Sequence, residues 1–179
     1  MELIVKAGRP EDFEMRPEKE QRIYEFLEDL GIDYVYLDHR EEYSMEDAAE
    51  ADEAIGVVGA KNVFLRDKKR SHYFLVLVNG TKRLDLKKIS EITGVKNLTF
   101  CSEADLDSML NLTTGAVTPL GLLNDKNGQV QLIIDKTLRD ETFSAMHPCV
   151  NTTTVRMSNC DFMEKVIPAM GHEPLFIDI

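Results

Sequence analysis

Apolar residues recur along this chain at two spacings, one typical of helices and the other of strands. Between residues 18 and 30 the apolar positions follow the i, i+3, i+4, i+7 spacing of a helix with one buried face: Ile23, Phe26, Leu27 and Leu30. Gly31 comes next, where a glycine commonly ends a helix. Residues 33–38 instead alternate between polar and apolar positions, which predicts a strand.

The same criteria predict further elements along the chain. Strands are expected where short apolar or β-branched runs lie between turn signals: residues 61–66, 72–78, 98–100, 130–135, 152–157 and 175–177. Further helices are expected at four places: residues 44–54, 84–93, 102–110 and 161–170. Ser44 and Asp47 form a near capping box at the start of one helix, and Pro168 is expected to break the last one.

Strands and helices therefore interleave over most of the chain. The sequence contains neither the glycine fingerprint of a dinucleotide-binding domain nor a P-loop, and it has no internal repeat. We expect a single compact α/β domain, with a mixed β-sheet and surrounding helices. Residues 18–179 are predicted to form this domain. Residues 1–17 are acidic and contain two prolines, and they are predicted to form an N-terminal extension or an extra edge segment.

The composition is typical of a globular protein. The 179 residues are 43% hydrophobic and 30% charged, which suffices for one domain with a sizeable core. No apolar run approaches the roughly 20 residues that cross a bilayer, and the N-terminus lacks a secretory signal pattern. The three cysteines form no Cys-x-x-Cys motif and favour reduced thiols. We expect a cytoplasmic protein with no membrane partner.

The charge is unevenly distributed. The net charge is −11, which argues against general nucleic-acid binding. Residues 1–60 carry 6 Lys/Arg against 18 Asp/Glu, whereas residues 61–88 carry 9 Lys/Arg against 2 Asp. A local basic face would suit a polyanion that approaches at one point, although such a run also occurs as a solvated hairpin rim.

Most standard catalytic sets are missing from the sequence. The four histidines are scattered and have no metal-ligand spacing, so no metal is expected. The serine-hydrolase motif Gly-x-Ser-x-Gly does not occur. Cys149 lies two residues from His147, which leaves a cysteine nucleophile open as an alternative.

Three short motifs occur in a distinctive order. Lys61 opens the run Lys-Asn-Val-Phe-Leu-Arg-Asp, residues 115–119 read Gly-Ala-Val-Thr-Pro, and residues 147–152 read His-Pro-Cys-Val-Asn-Thr. Glycine and proline four residues apart make a rigid loop that a ligand can approach closely. Together the motifs resemble those of the YbaK/prolyl-tRNA synthetase editing-domain family, whose members hydrolyse mischarged aminoacyl-tRNA. The resemblance is greatest to the free-standing branch that removes alanine from proline tRNA.

The resemblance implies roles for individual residues. Lys61 matches the family lysine required for deacylation and would reach the terminal phosphate or ribose. Gly115 would offer its backbone amide to the ester carbonyl, so Lys61 and Gly115 are the predicted catalytic residues. The loop amides would line the carbonyl and the ammonium group of the substrate. The residues predicted to bind substrate are Asn62, Ala116, Val117, Thr118, Pro119, His147 and Asn151. His147 would restrict the pocket, and Asn151 would fix the loop.

The mechanism that the resemblance implies does not depend on acidic or basic side chains of the protein as proton donors or acceptors. The ribose hydroxyl beside the ester helps to position the attacking water, so neither a catalytic triad nor a cofactor is expected. The implied partners are the acceptor end of mischarged tRNA and prolyl-tRNA synthetase. Alanine is the predicted amino acid, with cysteine or another small residue as the alternative. A module that binds tRNA or the synthetase without turnover is a further alternative.

The remaining implications concern the basic turn and the histidines. Four basic residues are predicted to contact tRNA: Arg66, Lys68, Lys69 and Arg70. His39 stands where the family often has a histidine, although Arg40-Glu41 replaces the commoner proline. No functional role is expected for His72 or His172.

Overall fold

The strands of this protein are divided between two sheets. The computed structural model describes residues 3–42, 45–57 and 59–179. In this part of the chain the strands are β1 (Val5–Ala7), β2 (Tyr34–Asp38), β3 (Lys61–Arg66), β4 (Tyr73–Val78), β5 (Thr99–Phe100), β6 (Val130–Asp135), β7 (Phe143–Met146), β8 (Thr153–Ser158) and β9 (Leu175–Ile177). The four-stranded sheet has the order β1-β2-β8-β7, and the five-stranded sheet has the order β5-β3-β4-β6-β9.

The two sheets differ in strand direction. Every pairing in the four-stranded sheet is antiparallel. In the five-stranded sheet β3 pairs antiparallel with β4 and β5, whereas β6 pairs parallel with β4 and β9. The predicted α/β class with a mixed sheet and surrounding helices is therefore confirmed, and a second, antiparallel sheet accompanies the mixed one.

Helices flank both sheets. The α-helices of the described residues are α1 (Glu18–Asp29), α2 (Met45–Ile55), α3 (Leu86–Thr93), α4 (Glu103–Leu110), α5 (Asn159–Asp161) and α6 (Ile167–Ala169). Short 3₁₀ turns occur at Phe13–Met15, Pro119–Asn124 and Lys136–Leu138. Among the residues described, each helix is too short or too polar to cross a bilayer.

Pro168 does not break the last helix, contrary to the prediction. The π-helical turn Phe162–Val166 joins α5 to α6, so the chain stays helical over residues 159–169. Pro168 lies two residues after the end of the π-helical turn, and its missing backbone N–H interrupts the helical hydrogen bonds at this point without ending the helix.

Several ends of the helices follow the predicted signals. Gly31 and Gly94 adopt left-handed φ values of 66° and 73° just after α1 and α3. Ser102 and Asp105 form a reciprocal capping box at the start of α4. The predicted cap at Ser44 lies outside the described residues.

The main core lies between the two sheets. Tyr36 and Val155 contribute from the four-stranded sheet, Leu75 and Ile134 from the five-stranded sheet, and Leu27 from α1. Strand β4 is apolar throughout because its alternate residues, Phe74, Val76 and Val78, are buried on the other face against α3.

Helix α2 packs on the outer face of the four-stranded sheet. Ala51 and Ile55 of α2 form a small cluster with Leu37 of β2 and Ala145 of β7. This packing holds α2 beside the first residues of β3, and the two elements enclose the cavity described below.

The N-terminal residues are tied to the body of the protein. Strand β1 adds an edge to the four-stranded sheet by pairing with β2, which fits the expectation of an extra edge segment; the boundary at residue 17 stays a prediction. The guanidinium of Arg16, whose side chain is 9% exposed, donates two hydrogen bonds to Asp38 at 2.8 Å each. It also donates to Glu20 and Asp12 at 2.7 and 2.8 Å.

We predict that Arg16→Ala lowers the free energy of unfolding by about 3–5 kcal/mol, because it leaves the buried Glu20 carboxylate without its cation. Arg9→Ala is the matched control, since Arg9 also pairs with a glutamate, Glu28, but is 42% exposed. Its loss should be much smaller, because solvent screens an exposed pair. Urea unfolding of both variants measures the difference, and equal losses would contradict the structural role of the Arg16 network.

Candidate active site

One cavity brings together motif residues that lie far apart in the sequence. It has a volume of about 310 Å³ and lies between α2, the start of β3, the loop around residue 115 and the end of β7. Five of the residues predicted to be catalytic or to bind substrate line it: Lys61, Asn62, Gly115, Val117 and His147. The fold thus assembles most of the predicted site.

Gly115 occupies a position that only glycine fits. Its φ is +88°, in the left-handed region that L-residues with side chains rarely adopt. A Cβ atom at this position would lie 2.8 Å from the Nδ2 atom of Asn151. The glycine is therefore required both by its conformation and by the close approach of the Asn151 amide.

The amide of Asn151 holds the chain near residue 42. Its Nδ2 donates to the carbonyl of Glu42 at 3.0 Å, and its Oδ1 accepts from the amide of Glu42 at 3.3 Å. These two bonds fasten the segment before α2 to the segment after β7, with Gly115 packed against the same amide. Asn151 is not among the residues that line the cavity, so its predicted contact with substrate stays a prediction.

Lys61 begins β3 at the edge of the cavity. Its Nζ donates to the carbonyl of Lys82 at 2.8 Å. This bond uses one of the three ammonium donors, and it anchors the positive charge at a fixed place in the wall.

Asn62 lies between this cavity and a smaller one. Its Oδ1 is buried and accepts no hydrogen bond from the residues that the structure describes. The smaller cavity has a volume of about 30 Å³ and an apolar wall that includes Leu77, Pro119 and Phe162. Both cavities share Ala60, Asn62, Ala145 and Met146.

His147 is held in one tautomer by its backbone contact. Its Nδ1 lies 2.9 Å from the carbonyl oxygen of Thr153, and because a carbonyl only accepts, Nδ1 carries the proton. Its Nε2 lies 3.6 Å from Oε2 of Glu42. Burial lowers the pKa of His147 below the usual value, so the ring is neutral at pH 7.

The buried side chain of His39 packs beside the imidazole of His147. Its ring centroid lies 5.7 Å from that of His147. Its Nδ1 is 2.7 Å from the carbonyl of Arg40, and its Nε2 is 3.0 Å from Oγ1 of Thr154. Both ring nitrogens are thus engaged in hydrogen bonds.

Three of these side chains could be considered as metal ligands. Donor atoms of His39, Glu42 and His147 all lie within 4.8 Å of one another. However, the Nδ1 of His39 donates its proton to the Arg40 carbonyl, so it presents no lone pair toward Glu42. The hydrogen-bond pattern favours a polar network over a metal site.

The other predicted loop residues have different surroundings. Ala116 is fully buried, and its amide donates to the carbonyl of Thr113 at 3.0 Å. Thr118 is also fully buried and caps the 3₁₀ turn through its Oγ1. Pro119 lines the smaller cavity. A substrate contact of Ala116 or Thr118 stays a prediction, whereas both residues have clear structural tasks.

The basic turn lies away from the cavity. Strand β3 separates Lys61 from Arg66, which at about 3.3 Å per residue amounts to about 16 Å. The guanidinium of Arg66 donates to Asp105 at 3.0 Å, and Arg70 lies 3.3 Å from the same carboxylate. Lys68 and Lys69 are exposed. Their contact with tRNA stays a prediction.

Cys149 does not have the surroundings of a nucleophile. It is 1% exposed, belongs to the main apolar core and is absent from the wall of either cavity. Burial raises the pKa of its thiol to about 12, whereas a reactive cysteine requires a lowered pKa.

Two acidic residues of the cavity wall, Glu42 and Asp52, were not predicted from the sequence. Asp52 lies on α2, and its carboxylate accepts a hydrogen bond from the amide of Gly59. Burial, together with the nearby charge of Glu42, raises the pKa of Asp52. No motif marks either residue, because an acidic residue in or just before an acidic helix resembles an ordinary solvated one.

Comparison with known proteins gives a consistent assignment. Residues 39–165 match the aminoacyl-tRNA editing domain. The chain is 35% identical over 159 residues to the prolyl-tRNA editing protein ProX of Acetoanaerobium sticklandii, a match that covers 88% of this chain and 96% of that protein. It is 30% identical over 169 residues to prolyl-tRNA synthetase associated domain-containing protein 1 of Mus musculus, covering 92% and 96%.

A solved structure shares the fold. A candidate trans-editing enzyme for prolyl-tRNA synthetase superimposes with a TM-score of 0.67 at 20% identity, covering 92% of this chain and 99% of that one. The resemblance expected from the motifs is confirmed by the domain match and the ProX relative. The chain belongs to the family of aminoacyl-tRNA editing domains.

Proposed function

We propose that this protein is a trans-editing deacylase that hydrolyses the ester between a small amino acid and the terminal ribose of mischarged proline tRNA. The observation that carries the proposal is the convergence of Lys61, Gly115 and His147 on one cavity, with Asn151 packed behind Gly115. The names of the ProX relative and of the prolyl-tRNA synthetase associated relatives support the choice of proline tRNA.

The cavity suits hydrolysis by positioning. Lys61 keeps two ammonium donors for the terminal phosphate or ribose after its bond to the Lys82 carbonyl. Water attacks the ester carbon, and the oxyanion that forms would be stabilised by backbone N–H groups near Gly115. The C–O bond to the ribose then breaks, which frees the amino acid and returns a hydroxyl to the tRNA. The ribose hydroxyl beside the ester orients the water.

Alanine is the amino acid that the cavities favour. The smaller cavity of about 30 Å³ adjoins the main one at Asn62 and is lined mainly by apolar side chains. It has room for roughly two water-sized spheres, which suits a methyl group and excludes the ring of proline. Cysteine, one sulfur larger than alanine, is the alternative that a direct measurement distinguishes.

Prolyl-tRNA synthetase is the proposed protein partner, because the names of the vertebrate relatives associate their domains with that enzyme. The acceptor end of tRNA would enter beside Lys61, and a cytoplasmic location is proposed with it. The cysteines Cys101, Cys149 and Cys160 are free, as a reducing compartment would require.

We predict that the wild-type protein releases alanine from Ala-tRNA(Pro) and leaves Pro-tRNA(Pro) intact, with Cys-tRNA(Pro) cleaved more slowly. Lys61→Ala should reduce alanine release roughly 100-fold or more, because it removes the anchored cation at the reacting end of the tRNA. A deacylation time course with labelled amino acid measures each rate. Lys126→Ala, an exposed lysine outside the cavity wall, is the control and should match the wild type.

Turnover also separates the proposal from its alternatives. Faster release of cysteine than of alanine would move the specificity to the cysteine branch. Tight binding of Ala-tRNA(Pro) without release of amino acid would instead indicate a non-catalytic binding module.

We predict that Gly115→Ala lowers alanine release at least 10-fold, because a Cβ atom would displace the Asn151 amide from the Glu42 backbone. Gly128→Ala is the matched control: Gly128 also has a positive φ, 61°, but open space around its Cβ position. Both variants should lose about 1–2 kcal/mol of stability from the left-handed conformation. A comparable loss of activity in both would show that conformational strain, and not the contact with Asn151, is responsible.

We predict that Cys149→Ala retains full activity per folded molecule, since its thiol is buried in the core and its pKa of about 12 keeps it protonated at neutral pH. Iodoacetamide treatment of the wild type should likewise leave the deacylation rate unchanged. Loss of activity in a variant that unfolds at the same urea concentration as the wild type would contradict this prediction and support Cys149 as the nucleophile.

A further inference from the structure

The carbonyl that accepts from Lys61 belongs to the turn after β4. Strand β3 starts where the antiparallel strand β4 ends, so Lys61 lies beside this turn, which covers residues 79–82. Within the turn the amide of Lys82 donates to the carbonyl of Asn79 at 2.9 Å. Gly80 of the same turn lines the main cavity. The place of the Lys61 ammonium therefore depends on what holds the turn.

A buried carboxylate holds both ends of the turn. Strand β6 runs parallel to β4, and the two strands end at the same edge of the sheet. The last residue of β6, Asp135, is fully buried. Its Oδ1 accepts from the ammonium of Lys82 at 3.0 Å, and its Oδ2 accepts from the amide of Asn79 at 3.4 Å. The first and the last residue of the turn are thus bonded to one side chain.

The Lys82–Asp135 contact is a fixed ion pair. Burial by itself raises the pKa of Asp135, but hydrogen bonds from the Lys82 ammonium and the Thr137 amide lower that pKa overall, so the carboxylate is charged at pH 7. A buried carboxylate depends on its cation, because an unpaired charge away from water is costly. The Nζ of Lys82 also donates to the carbonyl of Ile179 at 2.9 Å, and the exposed carboxylate of Asp178 lies 3.7 Å from it.

We propose that Lys82 and Asp135 are positioning residues for the deacylation. Their ion pair fixes the turn after β4, and the Lys82 carbonyl then keeps the ammonium of Lys61 in the cavity wall. In the described part of the chain the residues that line the main cavity include neither of the two, so they act on the reaction through Lys61. This inference rests on the proposed deacylase function and adds to it the residues that hold its cation.

Lysine requires such a contact more than a rigid side chain does. Its ammonium ends a flexible four-carbon stem, and without a fixed acceptor it samples many rotamers, few of which keep the charge at one place in the cavity. A displacement of about 1 Å at a reacting centre can cost about 100-fold in rate. Removal of the Lys82 side chain leaves the carbonyl in a looser turn, so we expect a smaller loss, of about 10-fold.

The experiment measures Lys82→Ala in two backgrounds. In the wild-type background it should lower kcat/KM for Ala-tRNA(Pro) about 10-fold. In the Lys61→Ala background it should have no further effect, because the group that it positions is gone. Lys82→Arg should restore most of the rate, since a guanidinium also donates to the Asp135 carboxylate. Lys165→Ala, which removes an exposed ion pair with Asp161, is the control and should match its parent protein in each background.

An NMR readout tests the contact itself and does not depend on residual activity. An ammonium bonded to a carbonyl exchanges its protons with water more slowly than a free one, so Lys61 should give a side-chain N–H signal. The Lys61→Ala variant identifies this signal by its absence. The signal should be lost in Lys82→Ala and in Asp135→Asn, and it should persist in Lys165→Ala.

Urea unfolding establishes that each variant is folded under the assay conditions. An equal loss from Lys82→Ala in both backgrounds would overturn the inference, because it would show a role independent of Lys61, such as a direct contact with tRNA. An unchanged Lys61 signal in Lys82→Ala, or a full rate in that variant, would overturn it as well. In these cases the wild type still releases alanine and the deacylase function stands. A wild type that releases no amino acid would reject the proposed function, and the inference with it.

Discussion

The contact of Gly115 with the Asn151 amide is the constraint on which the site depends. Asn151 bonds the backbone of Glu42 on one side and packs within 2.8 Å of the Cβ position of Gly115 on the other. Three segments that are remote in sequence therefore meet at one side chain. Because the Glu42 backbone is held there, its carboxylate is directed to the cavity that Gly115 lines. A side chain at residue 115 would separate the three segments.

This arrangement gives the cavity a charge gradient. Lys61 is anchored at the start of β3 through the Lys82 carbonyl, whereas Glu42 and Asp52 lie in the wall formed by α2 and the segment before it. The end of an aminoacyl-tRNA has a matching polarity, with phosphate on one side of the ester and ammonium on the other. Under the proposed function, the anchored ammonium of Lys61 would orient the phosphate end of such a substrate without acting as a catalytic acid or base. The net charge of −11 is compatible with tRNA binding because only the reacting end needs to enter the cavity.

Much of the fold could be predicted from the sequence, since its signals are local. The strands 61–66, 130–135 and 175–177 have the predicted bounds. Strand β7 was not predicted, because Phe143–Met146 is short and its first residue is exposed. The division into two sheets was also not predictable: β8 pairs with β2, more than a hundred residues earlier, and periodicity does not specify a partner strand.

The site was predictable only where a motif marks it. Lys61, Gly115 and His147 were found because their order resembles a family. The carboxylates of Glu42 and Asp52 were missed, because their proximity to the cavity results from tertiary contacts: the Asn151 bonds at residue 42 and the packing of α2 on the antiparallel sheet. Local patterns cannot distinguish an acidic residue that faces a cavity from one that faces water.

The two adjoining cavities differ in size and polarity, and each would hold a different part of the substrate. Under the proposed function, the apolar cavity beside Asn62 would limit the amino-acid side chain by volume, and rejection by volume can be stronger than the roughly 1–3 kcal/mol that a missing methylene costs in an attractive pocket. The main cavity, with Lys61 and His147 in its wall, would instead hold the ester and the terminal ribose. Because the shared lining residues Ala145 and Met146 directly precede His147 in the chain, the strand that forms the wall of the small cavity also positions the imidazole. A shift of β7 would therefore move the wall of the small cavity and the imidazole of His147 together, so that the space for the amino-acid side chain and the wall of the main cavity are coupled through a single strand.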